Sequence, residues 1–157
     1  MRILHVLDHS IPLHSGYSFR TRAIIEQQRA MGWETFHVTG AKQGKIETQV
    51  EEVDGLLFYR TPPLSGRLTR LPVINQLAVI YKLERTLRQI VQEVKPDILH
   101  AHSPGLNGVS ALSAGARFEL PVVYEVRAFW EDAAVDHGTS KEWGVRYRLT
   151  RRLETYV

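Results

Sequence analysis

The chain has 157 residues, 43% of them apolar and 24% charged, enough to bury one sizeable core and too few for two domains of ordinary size. It contains no cysteine, which excludes a disulfide framework, a thiolate zinc site and a cysteine nucleophile. Its net charge of +3 is uneven: Lys141 to Val157 holds five basic residues against two acids, and the acid-free stretch RTPPLSGRLTRLP carries Arg60, Arg67 and Arg70.

Such clusters suit phosphate or anionic lipid, although a solvated surface explains them as well. They lack interleaved aromatics and match no nucleic-acid motif, so nucleic acid is not an expected partner. No run approaches the roughly 18 apolar residues of a spanning helix. The amino end MRILHVLDHS is too short and polar for a signal peptide, and a cytoplasmic protein is expected.

In chain order, RILHVLD reads as a strand covered on both faces. After the loop HSIPLHSG, Ser18 can cap a helix running to Met31, with Phe19, Ala23, Ile24, Ala30 and Met31 as its apolar stripe and Gly32 as a left-handed stop. WETFHVTG is the next strand. Asp54-Gly55 lies between two extended runs, a two-residue hairpin signal, and predicts an antiparallel excursion at the sheet's edge. A long helix follows over 73–94, its stripe formed by Leu77, Ile80, Leu83, Leu87, Ile90 and Val94, with Glu84 and Arg88 paired on the wet face.

DILHAH predicts another strand, GLNGVSALSAGARF a helix and PVVYEV a strand. Gly108, Ser110, Ala111, Ala114 and Gly115 let that helix lie close to the sheet. A last helix starts at Thr139, which with Glu142 has capping-box spacing. Its stripe of Val145, Leu149, Leu153 and Tyr156 meets no stop signal, so the sequence reads as ending within a helix. This alternation predicts a Rossmann-like α/β fold: an open, mostly parallel sheet with helices on both faces and ligands beyond the carboxyl ends of the strands.

Three stretches can carry chemistry there. HSGYS places Gly16 at a helix amino end, where free N–H groups attract phosphate, though a lone glycine is equally a turn residue. Neither a dinucleotide fingerprint nor a P-loop is present. Seven histidines occur; His5 and His100 read as structural, while His102, at a strand exit before Ser103, is placed to face a ligand. A metal would want a further carboxylate or histidine around an open position, and the spacing supports this weakly. In YEVRAFWED, Glu125, Arg127, Glu131 and Asp132 are either an acid–base pair for glycosidic chemistry or an arginine–carboxylate network holding the loop.

In order and spacing, GYSFRTRAIIEQQRAMGWETFHVTG, KPDILHAHSPGLNG and LPVVYEVRAFWED resemble the amino-terminal half of the retaining GT-B glycosyltransferases of the family-4 type. Among these the sequence looks most similar to bacterial enzymes of exopolysaccharide and exosortase-associated gene clusters. The resemblance implies an acceptor-binding domain of an enzyme that transfers a sugar from a nucleotide diphosphate donor to a glycan or lipid-linked acceptor. It implies retained anomeric configuration and neither metal nor cofactor. His102 would be the catalytic contact to the sugar, and Gly16, Tyr17, Ser18, Ser103, Arg127 and Glu131 the substrate contacts. Relatives often carry two glycines where this chain has Ser15-Gly16, and a His-Gly pair where it has Arg127-Ala128. The family's second, nucleotide-binding domain has no counterpart in these residues, so the chain alone is expected to be inactive. A metal-dependent hydrolase built on the His/Asp groups and a non-enzymatic nucleotide or sugar binding module are the alternatives.

Overall fold

The strand-helix alternation folds into one sheet with helices on both sides. A computed structural model describes residues 1–66 and 71–157. In chain order the elements are β1 (Arg2–Leu7), α1 (Gly16–Ala30), β2 (Glu34–Thr39), a short 3-10 turn (Ala41–Gln43), β3 (Val50–Val53), β4 (Leu56–Arg60), α2 (Pro72–Val94), β5 (Ile98–His102), α3 (Gly105–Phe118), β6 (Val122–Glu125), α4 (Trp130–Asp136) and α5 (Val145–Tyr156). The six strands lie in the order β3-β4-β2-β1-β5-β6. All neighbours are parallel except β3 and β4. From β1 the chain winds outward through β2 and β4, then returns to place β5 on the other side of β1. The switch point therefore falls between β1 and β5, the position at which open parallel sheets generally bind ligands.

The two sheet faces differ in chemistry. One is hydrocarbon: Leu4, Val6, Val38, Tyr59, Leu99 and Ala101 pack with Leu83, Leu87, Ile90 and Val94 of α2 and with Ala111 and Ala114 of α3. Strand alternation sends the intervening side chains to the α1 side. There His5 is in register with His37 on one neighbour and His100 on the other, so three imidazoles cross three adjacent strands. Leu7, Ile11, Ile25, Leu56 and Phe58 form a smaller apolar cluster beside them.

Several expectations are met in detail. Gly32 has φ +80°, and Asp54 and Gly55 both have positive φ at the hairpin. The helix over residues 105–118 forms where its small residues predict.

Others need correction. Ser15, not Ser18, caps α1, and the buried face of that helix is Ser18, Thr21 and Ile25. Phe19 and Met31 stay exposed. A helix over a polar sheet face buries polar residues, so hydrophobic periodicity selects the wrong side. Only β3 is antiparallel, since β4 pairs parallel with β2. Glu84 does pair with Arg88 but is buried, and Leu77 is exposed. Gly144 precedes α5 in place of a Thr139 cap, α4 was not foreseen, and Val145, Leu149 and Tyr156 point to solvent. Arg60, counted with a basic surface stretch, is 1% exposed; it donates to the Ile11 carbonyl and pairs with Glu51. Arg67 and Arg70 lie outside the described residues.

Candidate active site at the sheet switch point

The ends of β1, β5 and β6 bring a polar cluster under the first turns of α1. His102 ends β5 and is fully buried. Its Nε2 lies 2.9 Å from His5 Nδ1, and His5 Nε2 lies 2.7 Å from Gln28 Oε1 of α1. On its other side, His102 Nδ1 donates to Glu125 Oε2 at 2.8 Å, and the Arg127 guanidinium abuts the same edge of the ring. Arg127 also donates to the Tyr17 carbonyl at 3.0 Å and to Thr21 Oγ1 at 2.8 Å, and lies over the Tyr17 ring at 4.3 Å. One guanidinium thus joins the loop after β6 to the start of α1. Arg20 of α1 closes the cluster with a 2.8 Å ion pair to Glu125.

Burial and neighbours set the protonation states. Burial lowers His102 to about 4, aided by His100 and Arg127, so its imidazole is neutral at pH 7. The hydrogen bond with His102, reinforced by Arg127, holds the Glu125 carboxyl down at about 2. Burial places His5 well below the usual imidazole range and His37 at about 4. The layer therefore holds uncharged imidazoles at His5, His37 and His102 beside an ionised carboxylate and a guanidinium.

Above it stands the loop from β1 to α1. Ser15 Oγ accepts the Ser18 N–H at 3.1 Å and the Phe19 N–H bonds the Ser15 carbonyl. Helix geometry leaves the Gly16 and Tyr17 amides without intrahelical partners. A Cβ on Gly16 would meet nothing within 4 Å, so a ligand can approach its backbone closely. Neighbouring Asp8 accepts from His9 Nδ1 at 3.1 Å and pairs with Lys42 at 3.1 Å. His9 Nε2 reaches Ser15 Oγ at 2.9 Å.

The structure gathers Gly16, Tyr17, His102, Ser103 and Arg127 at this end of the sheet. His102, expected to face the ligand, is enclosed by His5, Glu125 and Arg127, because a side chain ending a central strand is covered when the next loop folds back over it. Ser103 is also buried and accepts the Arg127 backbone N–H at 3.1 Å. Ser18 is tucked against Ser15, with their hydroxyls 3.0 Å apart. Glu131 lies instead among Tyr124 and Tyr147; it is 7% exposed and its Oε2 has no hydrogen-bond partner. Arg127 Nε likewise has none.

Between the two sequence alternatives for YEVRAFWED, the network reading describes Glu125 and Arg127. The reach of Gln28 into the histidine layer and the contacts joining Asp8, His9 and Ser15 were missed. Only the adjacency of Asp8 and His9 after a strand hinted at the latter. Among the described residues, His5, His100 and His102 bring ring nitrogens within 4.8 Å of one another, a possible metal-ligand set by distance. The nitrogens of His5 and His102 are already engaged by each other and by Gln28, Glu125 and Arg127.

Residues 15–157 match the family described as the glycosyl transferase 4-like domain. No curated protein sequence matches the chain. Among solved structures, sucrose-phosphate synthase from Thermosynechococcus elongatus superposes with a TM-score of 0.70 at 15% identity, over 99% of this chain and 40% of that one. A glycosyltransferase of Streptomyces sp. SF2575 does so with a TM-score of 0.54 at 16% identity, over 79% and 38%. The carboxyl-terminal domain of a Pyrococcus furiosus hydrogenase gives 0.53 at 15% identity, over 79% and 90%. These likenesses establish the fold, and this chain spans about two fifths of the synthase.

Proposed function

Because the chain belongs to the glycosyl transferase 4-like domain family, we propose that it is the acceptor-side half of a two-domain GT-B enzyme. That enzyme moves a hexose from a nucleotide diphosphate sugar to a glycan or lipid-linked hydroxyl with retention of configuration. A second domain would supply the nucleotide pocket, and this half would be inactive alone. The observation carrying the reading is the pairing of two free amides, at Gly16 and Tyr17, with a guanidinium bonded to the Tyr17 carbonyl 3.0 Å away.

Departure of a nucleotide diphosphate builds negative charge on a phosphate oxygen and positive character on the sugar. The α1 amides and dipole would stabilise the first, and Glu125 lies on the side where it would balance the second. His102 would act as a positioning residue: neutral and buried, it fixes Glu125 and Arg127 and does not touch the sugar. Ser103 orients the Arg127 backbone in the same way. Ser18 supports the cap, while Glu131, with its free carboxylate oxygen, is a candidate for acceptor hydroxyls. No step of this reading requires a metal or cofactor.

Peripheral contact with an anionic inner membrane face would bring the enzyme to a lipid-linked acceptor. Its support is α5, where Arg146, Arg148, Arg151 and Arg152 are exposed beside Trp143, Val145 and Leu149. No helix among the described residues is long and apolar enough to cross a membrane. A cytoplasmic enzyme of a bacterial exopolysaccharide or exosortase-associated cluster fits this reading.

The test is transfer by the full product of the parent gene, with the anomeric configuration of the product read by NMR. Arg127→Ala is expected to lower kcat at least a hundredfold; an inverted product or unchanged turnover rejects the reading. The three-imidazole cluster favours a metal-dependent hydrolase as the second reading, and hydrolysis abolished by chelator and restored by zinc would establish that instead.

A further inference from the structure

We propose that Asp8, His9 and Ser15 form a nucleophile–base–orienter constellation that makes Ser15 Oγ reactive toward small activated acyl esters. The activity is separate from sugar transfer.

The geometry is that of an activated serine. His9 Nε2 stands 2.9 Å from Ser15 Oγ, and His9 Nδ1 stands 3.1 Å from Asp8 Oδ2. An ionised carboxylate only accepts, so Asp8 selects the tautomer with hydrogen on Nδ1 and leaves the Nε2 lone pair for the serine proton. Lys42 holds the other carboxylate oxygen at 3.1 Å. Burial raises the Asp8 carboxyl, but His9 and Lys42 outweigh it and keep the group below its usual range. The His9 ring stacks on Tyr17, centroids 4.8 Å apart at 28°, which limits its rotation.

All three side chains are half-buried and reachable from solvent. Ser15 already accepts the Ser18 N–H at 3.1 Å, an interaction that strengthens as the oxygen gains charge. The Gly16 and Tyr17 amides lie next in the chain and would be the donors offered to a carbonyl oxygen that develops charge.

The reaction balances without a further co-reactant. Ser15 Oγ attacks the ester carbonyl carbon as its proton passes to His9 Nε2, and the carbonyl oxygen takes the electron pair. Collapse breaks the bond to the leaving alcohol, which takes the proton from His9, and an acyl-serine remains. Water then attacks that ester through His9, releasing the acid and restoring the Ser15 hydroxyl. Only short acyl groups and a high KM are expected.

The test uses the chain itself with 4-nitrophenyl acetate and with a fluorophosphonate, in the absence of any nucleotide sugar. One covalent adduct on Ser15 by peptide mass mapping is expected. Release of 4-nitrophenol should fall at least tenfold in Ser15→Asn, which keeps a good helix cap, and also in His9→Gln and Asp8→Asn. Thermal melts verify folding, and His9→Gln carries the test if Ser15→Asn does not fold. Absence of the Ser15 adduct, or hydrolysis undiminished in the folded variants, overturns the proposal. Donor binding is measured separately, so the transferase reading stands or falls on its own.

Discussion

A fully buried imidazole takes its state from its neighbours, and His102 is held between His5 on one side and Glu125 with Arg127 on the other. Removing the ring in His102→Ala leaves buried His5 Nδ1 without its partner and takes from Glu125 the nearest of its hydrogen-bond partners on that oxygen. The expected loss of folding stability is about 2–4 kcal/mol, read from urea denaturation. A loss under about 1 kcal/mol would mean the cluster is looser than its distances imply. Gly16 gives the opposite case. Its Cβ position is open and its φ is not in the left-handed region. Gly16→Ala is therefore expected to keep or raise stability, by up to about 1 kcal/mol, while weakening diphosphate binding several-fold in calorimetry. At this scale the sequence identified the anchors of the site but not their directions. HSG and LHAHSPG marked Gly16 and His102, yet nothing in their spacing said that Arg127 would close over the imidazole. That contact joins residues 25 positions apart.

Between residue and molecule, the row of His37, His5 and His100 across β2, β1 and β5 makes the sheet acid-sensitive. His37 is buried, and its pKa falls from the usual 6.5 to about 4. The unfolded chain binds its proton first as pH drops, so stability is complete above about pH 6.5 and declines toward pH 4. For His37 alone the decline by pH 5 is about 2 kcal/mol. His5 and His102 shift in the same direction and add to it. Denaturation midpoints at pH 7 and pH 5 check this, and equal midpoints would contradict it. Helix α3 carries a second expectation. A Cβ on Gly115 would fall 2.5 Å from Val122 and 2.9 Å from the Leu120 carbonyl, so Gly115→Ala should cost about 1–3 kcal/mol. The elements on the hydrocarbon face were legible because periodicity and burial coincide there, as at Leu83, Leu87, Ile90 and Val94. The α1 face was misread for the reverse reason: Thr21 and Gln28 turn inward to Arg127 and His5, which no apolar stripe announces.

At the scale of the molecule, strand order places chemistry where β1 and β5 diverge, with the first turn of α1 on one side and the loop after β6 on the other. The alternation of apolar strands and helices was enough to anticipate that edge. It could not say which loop would cover which side chain, because such contacts depend on packing between distant segments. In the proposed function the Gly16 and Tyr17 amides, backed by Arg127, receive a diphosphate. The most direct measurement is a titration of the isotopically labelled chain with uridine diphosphate sugar, following backbone amide resonances by NMR. The largest shifts should fall on Gly16, Tyr17 and their immediate neighbours, with saturation only at millimolar ligand if a second domain supplies the other wall as proposed. Shifts concentrated instead along α2 and β4, or none at any concentration, would contradict it.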